Sequence, residues 1–160
     1  MNGITKSAGK SSTAMAVVRI VVGLMFIMFA QYKLFGPEFA HGGYEKYVNG
    51  YVHETALPAY KPFLRATLHY PVFSGYAVGA AEMLIGLSMV LGFWVRRFAI
   101  VGGLFMLNLL LSTWNLPAGT PFWRYFGNQL DNISLFFLFL LFFVHGAGET
   151  LGLDHSRSGS

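Results

Sequence analysis

The chain has no cysteine. That absence excludes disulfides, thiolate metal sites, covalently attached c-type haem and cysteine-ligated iron–sulfur clusters. Charge is also scarce. Only 11% of the 160 residues are Asp, Glu, Lys or Arg, whereas a soluble domain carries about a quarter. Too few charges remain to solvate a globular surface. With 54% hydrophobic residues and a mean hydropathy of +0.51, the composition is that of one compact membrane domain. A large soluble catalytic domain has no room. No G-x-S-x-G, P-loop or dinucleotide fingerprint occurs. The net charge of +4 is scattered around apolar spans, so it reads as membrane topology and not as nucleic-acid binding.

Apolar length is abundant. A membrane-spanning helix takes about 20 mainly apolar residues, and four stretches qualify: Ala16 to Phe35, Val72 to Val95, Phe98 to Trp114 and Gln129 to His145. The expected fold is therefore all-α, an integral membrane four-helix bundle. Residues 1–13 read as a flexible head, 14–154 as the transmembrane domain and 155–160 as a flexible tail. The long first connection, Gly36 to Pro71, is too aromatic for a disordered linker, and "YKPFLRATLHY" suits a short amphipathic segment on the membrane surface. The second connection is a tight turn carrying Arg96 and Arg97. The third holds Phe122, Trp123, Tyr125 and Phe126, residues suited to the headgroup level.

With four spans, Lys6, Lys10, Arg19, Arg96, Arg97 and Arg157 share one side, and Lys46, Lys61, Arg65 and Arg124 share the other. The short Arg-Arg turn weighs most, so both termini are expected in the cytoplasm and the long aromatic connection outside. "GLMFIMFAQYKLFGP" from Gly23 and "GLFMLNLLLSTWNLP" from Gly103 share their ends without a gap. This faint repeat fits two similar hairpins in one orientation. Glycine pairs such as Gly75 and Gly79 read first as close helix packing.

Polar groups within the spans are few: Gln31 and Lys33 in the first, Glu82 in the second, Asn108 in the third, and Gln129, Asp131, Asn132 and His145 in the fourth. A charge at the centre of a membrane helix costs on the order of 2.5–3.5 kcal/mol, so such residues face the bundle interior or a wet cavity. Glu82 lies about 15 Å along its helix from the outer end, close to the midplane, and Asn108 at a similar depth. Gln31, Lys33, Asp131 and Asn132 lie near the outer ends, so they are expected to form a polar pocket with Glu82 and Asn108 as its floor. Structural roles compete with this. Lys33 is equally read as snorkelling to headgroups, Asp131 as an acid at a helix N-terminus, Asn108 as interhelical glue, His145 as a cap, and Glu82 as a helix-holding acid, neutral or paired with Lys33. His145 is the only histidine in a span, which disfavours bis-histidine haem. His41, His53 and His69 lack tight ligand spacing, so no metal site is expected.

Three stretches in order resemble the DoxX-like family of four-helix membrane proteins. "VVRIVVGLMFIMFAQYKLFGP" is similar to its opening helix, "AEMLIGLSMVLGFWVRR" to its Glu-bearing second helix and Arg-bearing turn, and "HGAGETLGLD" to its closing Gly-x-Gly and Leu-Asp segment. The long outer connection resembles the DoxD branch. That resemblance implies a subunit of a thiosulfate:quinone oxidoreductase, working with a DoxA-like membrane or periplasmic partner in a bacterial or archaeal cell membrane. On this reading Glu82 and Lys33 are the catalytic pair. Gln31, Asn108, Asp131, Asn132 and Trp114 contact a quinone. Neither covalent haem nor an iron–sulfur cluster is expected. The alternative is a non-catalytic accessory subunit of a larger respiratory or photosynthetic complex.

Overall fold

The computed structural model describes residues 2–116, 119–145, 147–148 and 150–154. The helices in chain order are α1 (Asn2–Phe35), α2 (Tyr44–Gly50), α3 (Lys61–Thr67), α4 (Pro71–Leu91), α5 (Val95–Ser112) and α6 (Phe122–His145), and no strand occurs among the described residues. Thr13–Phe35 of α1, together with α4, α5 and α6, is long and apolar enough to cross a bilayer. A spanning helix satisfies its backbone polar groups internally, which lipid cannot do for it. The tail expected over 155–160 lies outside the described residues, as does Met1 of the expected head.

Several span boundaries differ from the sequence expectation. Helix α4 stops at Leu91, because Gly92 takes the left-handed conformation (φ 64°) that ends helices. Trp94 follows with φ 52°, and α5 begins at Val95. Arg96 and Arg97 therefore stand in the first turn of α5, exposed, and not in the turn itself. The Arg97 guanidinium lies 4.8 Å from the centre of the Trp94 ring. Helix α6 begins at Phe122, seven residues before Gln129, so the interfacial aromatic cluster is helical.

Helix α1 packs chiefly on α4, and α5 on α6. Small residues permit the α1–α4 approach. A Cβ added at Gly86 would lie 2.7 Å from Ile27 Cγ1 and 2.8 Å from the Gly23 carbonyl oxygen. Gly86→Val is expected to destabilise the bundle by about 1–3 kcal/mol through overpacking, read as a lower unfolding midpoint in detergent. An unchanged midpoint would mean that α1 and α4 separate without cost. Phe26, Phe139 and Phe142 fill the centre, with Phe26 edge-on to Phe139 (5.3 Å) and to Phe105 (6.1 Å).

One end of the bundle is closed by the C-terminal segment. Arg19, fully buried, donates from Nη1 to the Ala147 carbonyl and from Nη2 to the Leu151 carbonyl, both at 2.9 Å. Asp154 accepts the backbone N–H groups of Trp94 (2.9 Å) and Val95 (3.0 Å), while its own N–H donates to the Gly92 carbonyl (2.9 Å). Helix α5 starts with two arginines, the wrong sign for the positive end of a helix dipole. Asp154 supplies the missing negative charge and caps the helix from 59 residues away.

At the other end the first connection is folded. Phe39, Tyr44, Val48, Val52, Ala56 and Leu64 form their own apolar cluster. It is tied to the end of α5 by the Leu57 N–H to the Leu111 carbonyl (2.9 Å), the Asn115 N–H to the Thr55 carbonyl (2.7 Å) and the Thr55 hydroxyl to the Ser112 carbonyl (2.8 Å). Gly42, at φ 143°, supplies the turn between Phe39 and α2.

Candidate functional site

A cavity of about 670 Å³ lies beneath that folded connection, walled by α1, α4 and α5. Its walls are mainly aromatic and aliphatic, with Phe29 and Tyr32 on α1, Val78 and Ala81 on α4, and Leu104 and Phe105 on α5. Lys33, Glu82 and Asn108 stand among them, with the hydroxyls of Thr67 and Ser112 and of the lining tyrosines.

Lys33 and Glu82 form an ion pair through Glu82 Oε1. The lysine is also 5.3 Å from the centre of the Phe39 ring, a cation–π contact. Glu82 is 4% exposed, and its second oxygen, Oε2, has no hydrogen-bond partner among the described residues. A buried oxygen left unpaired is costly, so it marks a place where a proton or a donor belongs. Opposite, the Tyr60 hydroxyl donates to Asn108 Oδ1 at 2.7 Å. Burial, with Tyr44 nearby adding to it, holds the Tyr60 phenol above its ordinary pKa, so it remains a donor at neutral pH. With Oδ1 so engaged, the Asn108 amide keeps its NH2 group as a donor.

The remaining sequence candidates lie elsewhere. Gln31 is exposed on α1, since residues two apart on a helix do not share a face and Lys33 has the inward one. Asp131 and Asn132 sit on α6, which packs against α5 and does not line the cavity. Asp131 is exposed and its Oδ1 accepts the Asn132 N–H (2.9 Å). Asn132 donates to Gln129 Oε1 (3.2 Å), and buried Gln129 in turn donates to the Thr113 carbonyl and hydroxyl. This network joins α6 to the end of α5. Trp114 is 45% exposed and edge-on to Tyr125 at 6.0 Å, part of the interfacial aromatic group. The structure thus brings Lys33, Glu82 and Asn108 together and leaves Gln31, Asp131, Asn132 and Trp114 outside. Sequence reasoning missed the aromatic roof, including Phe39, Tyr44 and Tyr51, and the Tyr60 bond to Asn108. Its signal was the density of tyrosine in residues 36–71.

Residues 14–114 match the DoxX family model. The chain belongs to the DoxX family. The matched segment contains every residue that lines the cavity, whereas α6 and the closing segment with Asp154 lie beyond it. No curated protein and no solved structure matches this DoxX-family chain. Its four apolar helices make it a multi-pass membrane protein.

Proposed function

We propose that this DoxX-family protein is the membrane subunit of a quinone-linked oxidoreductase and that the cavity holds the quinone. The observation behind this reading is the Lys33–Glu82 pair set, with Asn108, in a cavity whose walls are mainly apolar and aromatic. A quinone is an apolar ring bearing two carbonyl acceptors, and it calls for apolar walls with a few placed donors. Lys33 and the Asn108 amide are the donors that would hold it. When bound, a quinone supplies an acceptor for two electrons and two protons. Glu82 is the group beside it that can hold a proton, at the otherwise unpartnered Oε2. The Phe and Tyr side chains of the roof exclude water.

In this reading the termini are cytoplasmic and the folded connection faces outward, in a bacterial or archaeal cell membrane, as the Lys/Arg bias suggests. The electron donor then acts from outside, with a DoxA-like subunit as partner. Thiosulfate is the proposed donor, an anion that exposed Arg65 and Arg124 would attract.

The test begins with purification of the full chain from its native membrane in mild detergent, followed by mass spectrometry of bound quinone and proteins. Stoichiometric quinone and a small assembly are expected. Glu82→Gln should keep the fold and lower quinone reduction by about 100-fold or more, the usual range for loss of a positioned proton carrier. Turnover near that of the native protein would remove Glu82 from the mechanism. A large complex with no quinone attributable to this chain would replace the reading with a non-catalytic accessory subunit.

A further inference from the structure

The cavity's mouth tells what kind of molecule reaches it. Several of its lining residues are themselves exposed, and on the spans these are Phe29 (58%), Tyr32 (56%), Val101 (43%) and Leu104 (60%). Ala77 of α4 is exposed as well. An exposed side chain on a membrane-spanning helix meets acyl chains, not water. Phe26 and Phe105 bring α1 and α5 together. Beyond that contact α1 carries Phe29, Tyr32 and Lys33 along the cavity wall. At the end of the spans the folded connection covers it, with Phe39, Tyr44, Val48 and Leu64 buried in their own cluster. That cover is fastened to α5 by the Leu57, Thr55, Asn115 and Tyr60 hydrogen bonds. The roof residues that remain exposed, Tyr47 and Phe63, are aromatic side chains of the kind found at headgroup depth.

We infer that the cavity is filled from the side, by a membrane-dissolved amphiphile whose polar head reaches Lys33, Glu82 and Asn108 while its apolar chain stays in the bilayer. This deepens the quinone reading and, for the identity of the head group, rests on it. It requires a chain-bearing ligand and excludes a small water-borne one. On the spans, the exposed rim residues Phe29, Ala77, Val101 and Leu104 are hydrocarbon or aromatic, with the Tyr32 hydroxyl as the polar group among them. A chain lying along Phe29, Ala77 and Leu104 would lose no hydration on entry. A charged solute would have to shed its water in lipid first, at a cost of several kcal/mol.

The absence of cysteine gives the test a clean background, because each introduced thiol is the only one in the chain. Ala81→Cys places it in the cavity wall, and Ala77→Cys does so nearer the rim. Leu84→Cys on the exposed face of α4 and exposed Lys46→Cys on the folded connection serve as lipid-side and water-side references. Membranes opened to both faces are treated with a maleimide carried on a long acyl chain or with a charged, membrane-impermeant methanethiosulfonate. For Ala81→Cys we expect the acyl reagent to react within about threefold of Leu84→Cys, and the charged reagent to react at least about tenfold slower than at Lys46→Cys. Ala77→Cys should show the same preference if Ala81→Cys does not fold.

Labelling by the charged reagent at a rate near that of Lys46→Cys would place the mouth in water and overturn the inference. Labelling by neither reagent in both variants would mean a sealed cavity and overturn it equally. Addition of a decyl-tailed benzoquinone separates this inference from the quinone reading. Protection of Ala81→Cys from the acyl reagent supports both. Rapid lipid-side labelling without protection leaves the lateral mouth standing and removes the quinone.

Discussion

Arg19→Met is expected to be among the most damaging single substitutions in this protein, with a loss of about 3–6 kcal/mol, because two hydrogen bonds from a buried charged donor go at once. Methionine keeps much of the length and volume of the arginine, so the effect isolates charge and hydrogen bonding. Two carbonyl acceptors, of Ala147 and Leu151, lose their charged donors at once, at about 1.5–3 kcal/mol for each hydrogen bond to a charged group. Asp154 loses the nearby positive charge and is left to the helix N-terminus alone. The unfolding midpoint in detergent should fall sharply, and the segment 147–154 should become open to proteolysis before the spans unfold. Asp154→Asn retains an acceptor for the cap and should cost less than Arg19→Met. A midpoint for Arg19→Met within a degree or two of the parent would mean that this closure contributes little to holding the bundle.

Lys33→Met is expected to destabilise the protein by a similar amount at a pH where Glu82 is ionised, because it leaves a buried carboxylate with neither oxygen paired. Glu82→Gln should cost less. Lys33 is 19% exposed and keeps its contact with the Phe39 ring, so its charge has somewhere to go. The double variant Lys33→Met/Glu82→Gln removes both charges together and should recover most of the loss, because a buried pair is often replaceable by neutral groups. An interaction energy of about 0.5–3 kcal/mol from the four unfolding midpoints would establish direct coupling. The double variant also separates two roles. If it is stable and fails to reduce quinone, the pair serves chemistry. If it is stable and fully active, the pair holds α1 to α4 and does nothing more.

The α1–α4 ion pair was within reach of the sequence because a charge in a span has few partners to choose from. By depth alone Lys33 matches Asp131 more closely than Glu82, yet pairing of Lys33 with Glu82 was among the readings their positions allowed. The polar pocket as a whole was not. Depth along a helix is legible from residue counts, but rotation about its axis and the choice of neighbour are not. Gln31 has the depth of a pocket residue and points away. Asp131 and Asn132 have it too, on a helix that packs against α5 and leaves the cavity to the folded connection. Tyr60 has no intramembrane position at all, yet it reaches Asn108 because the connection folds back over the spans. Arg19 was read as a topology marker, since a lone arginine near the inner end of a first span does that work in most membrane proteins. Its burial depends on a partner segment 128 residues later.

By itself the sequence determined the membrane as solvent, four spanning helices, and glycines suited to close helix packing. These follow from hydrophobic length and side-chain size, which are local properties that survive any arrangement of the spans. Only the tertiary structure decided which polar residues share the cavity, what roofs it, and that Arg19 and Asp154 close the opposite end. Those depend on helix rotation and on contacts between segments far apart in the chain, and in lipid the apolar faces are too alike for hydrophobicity to choose among them.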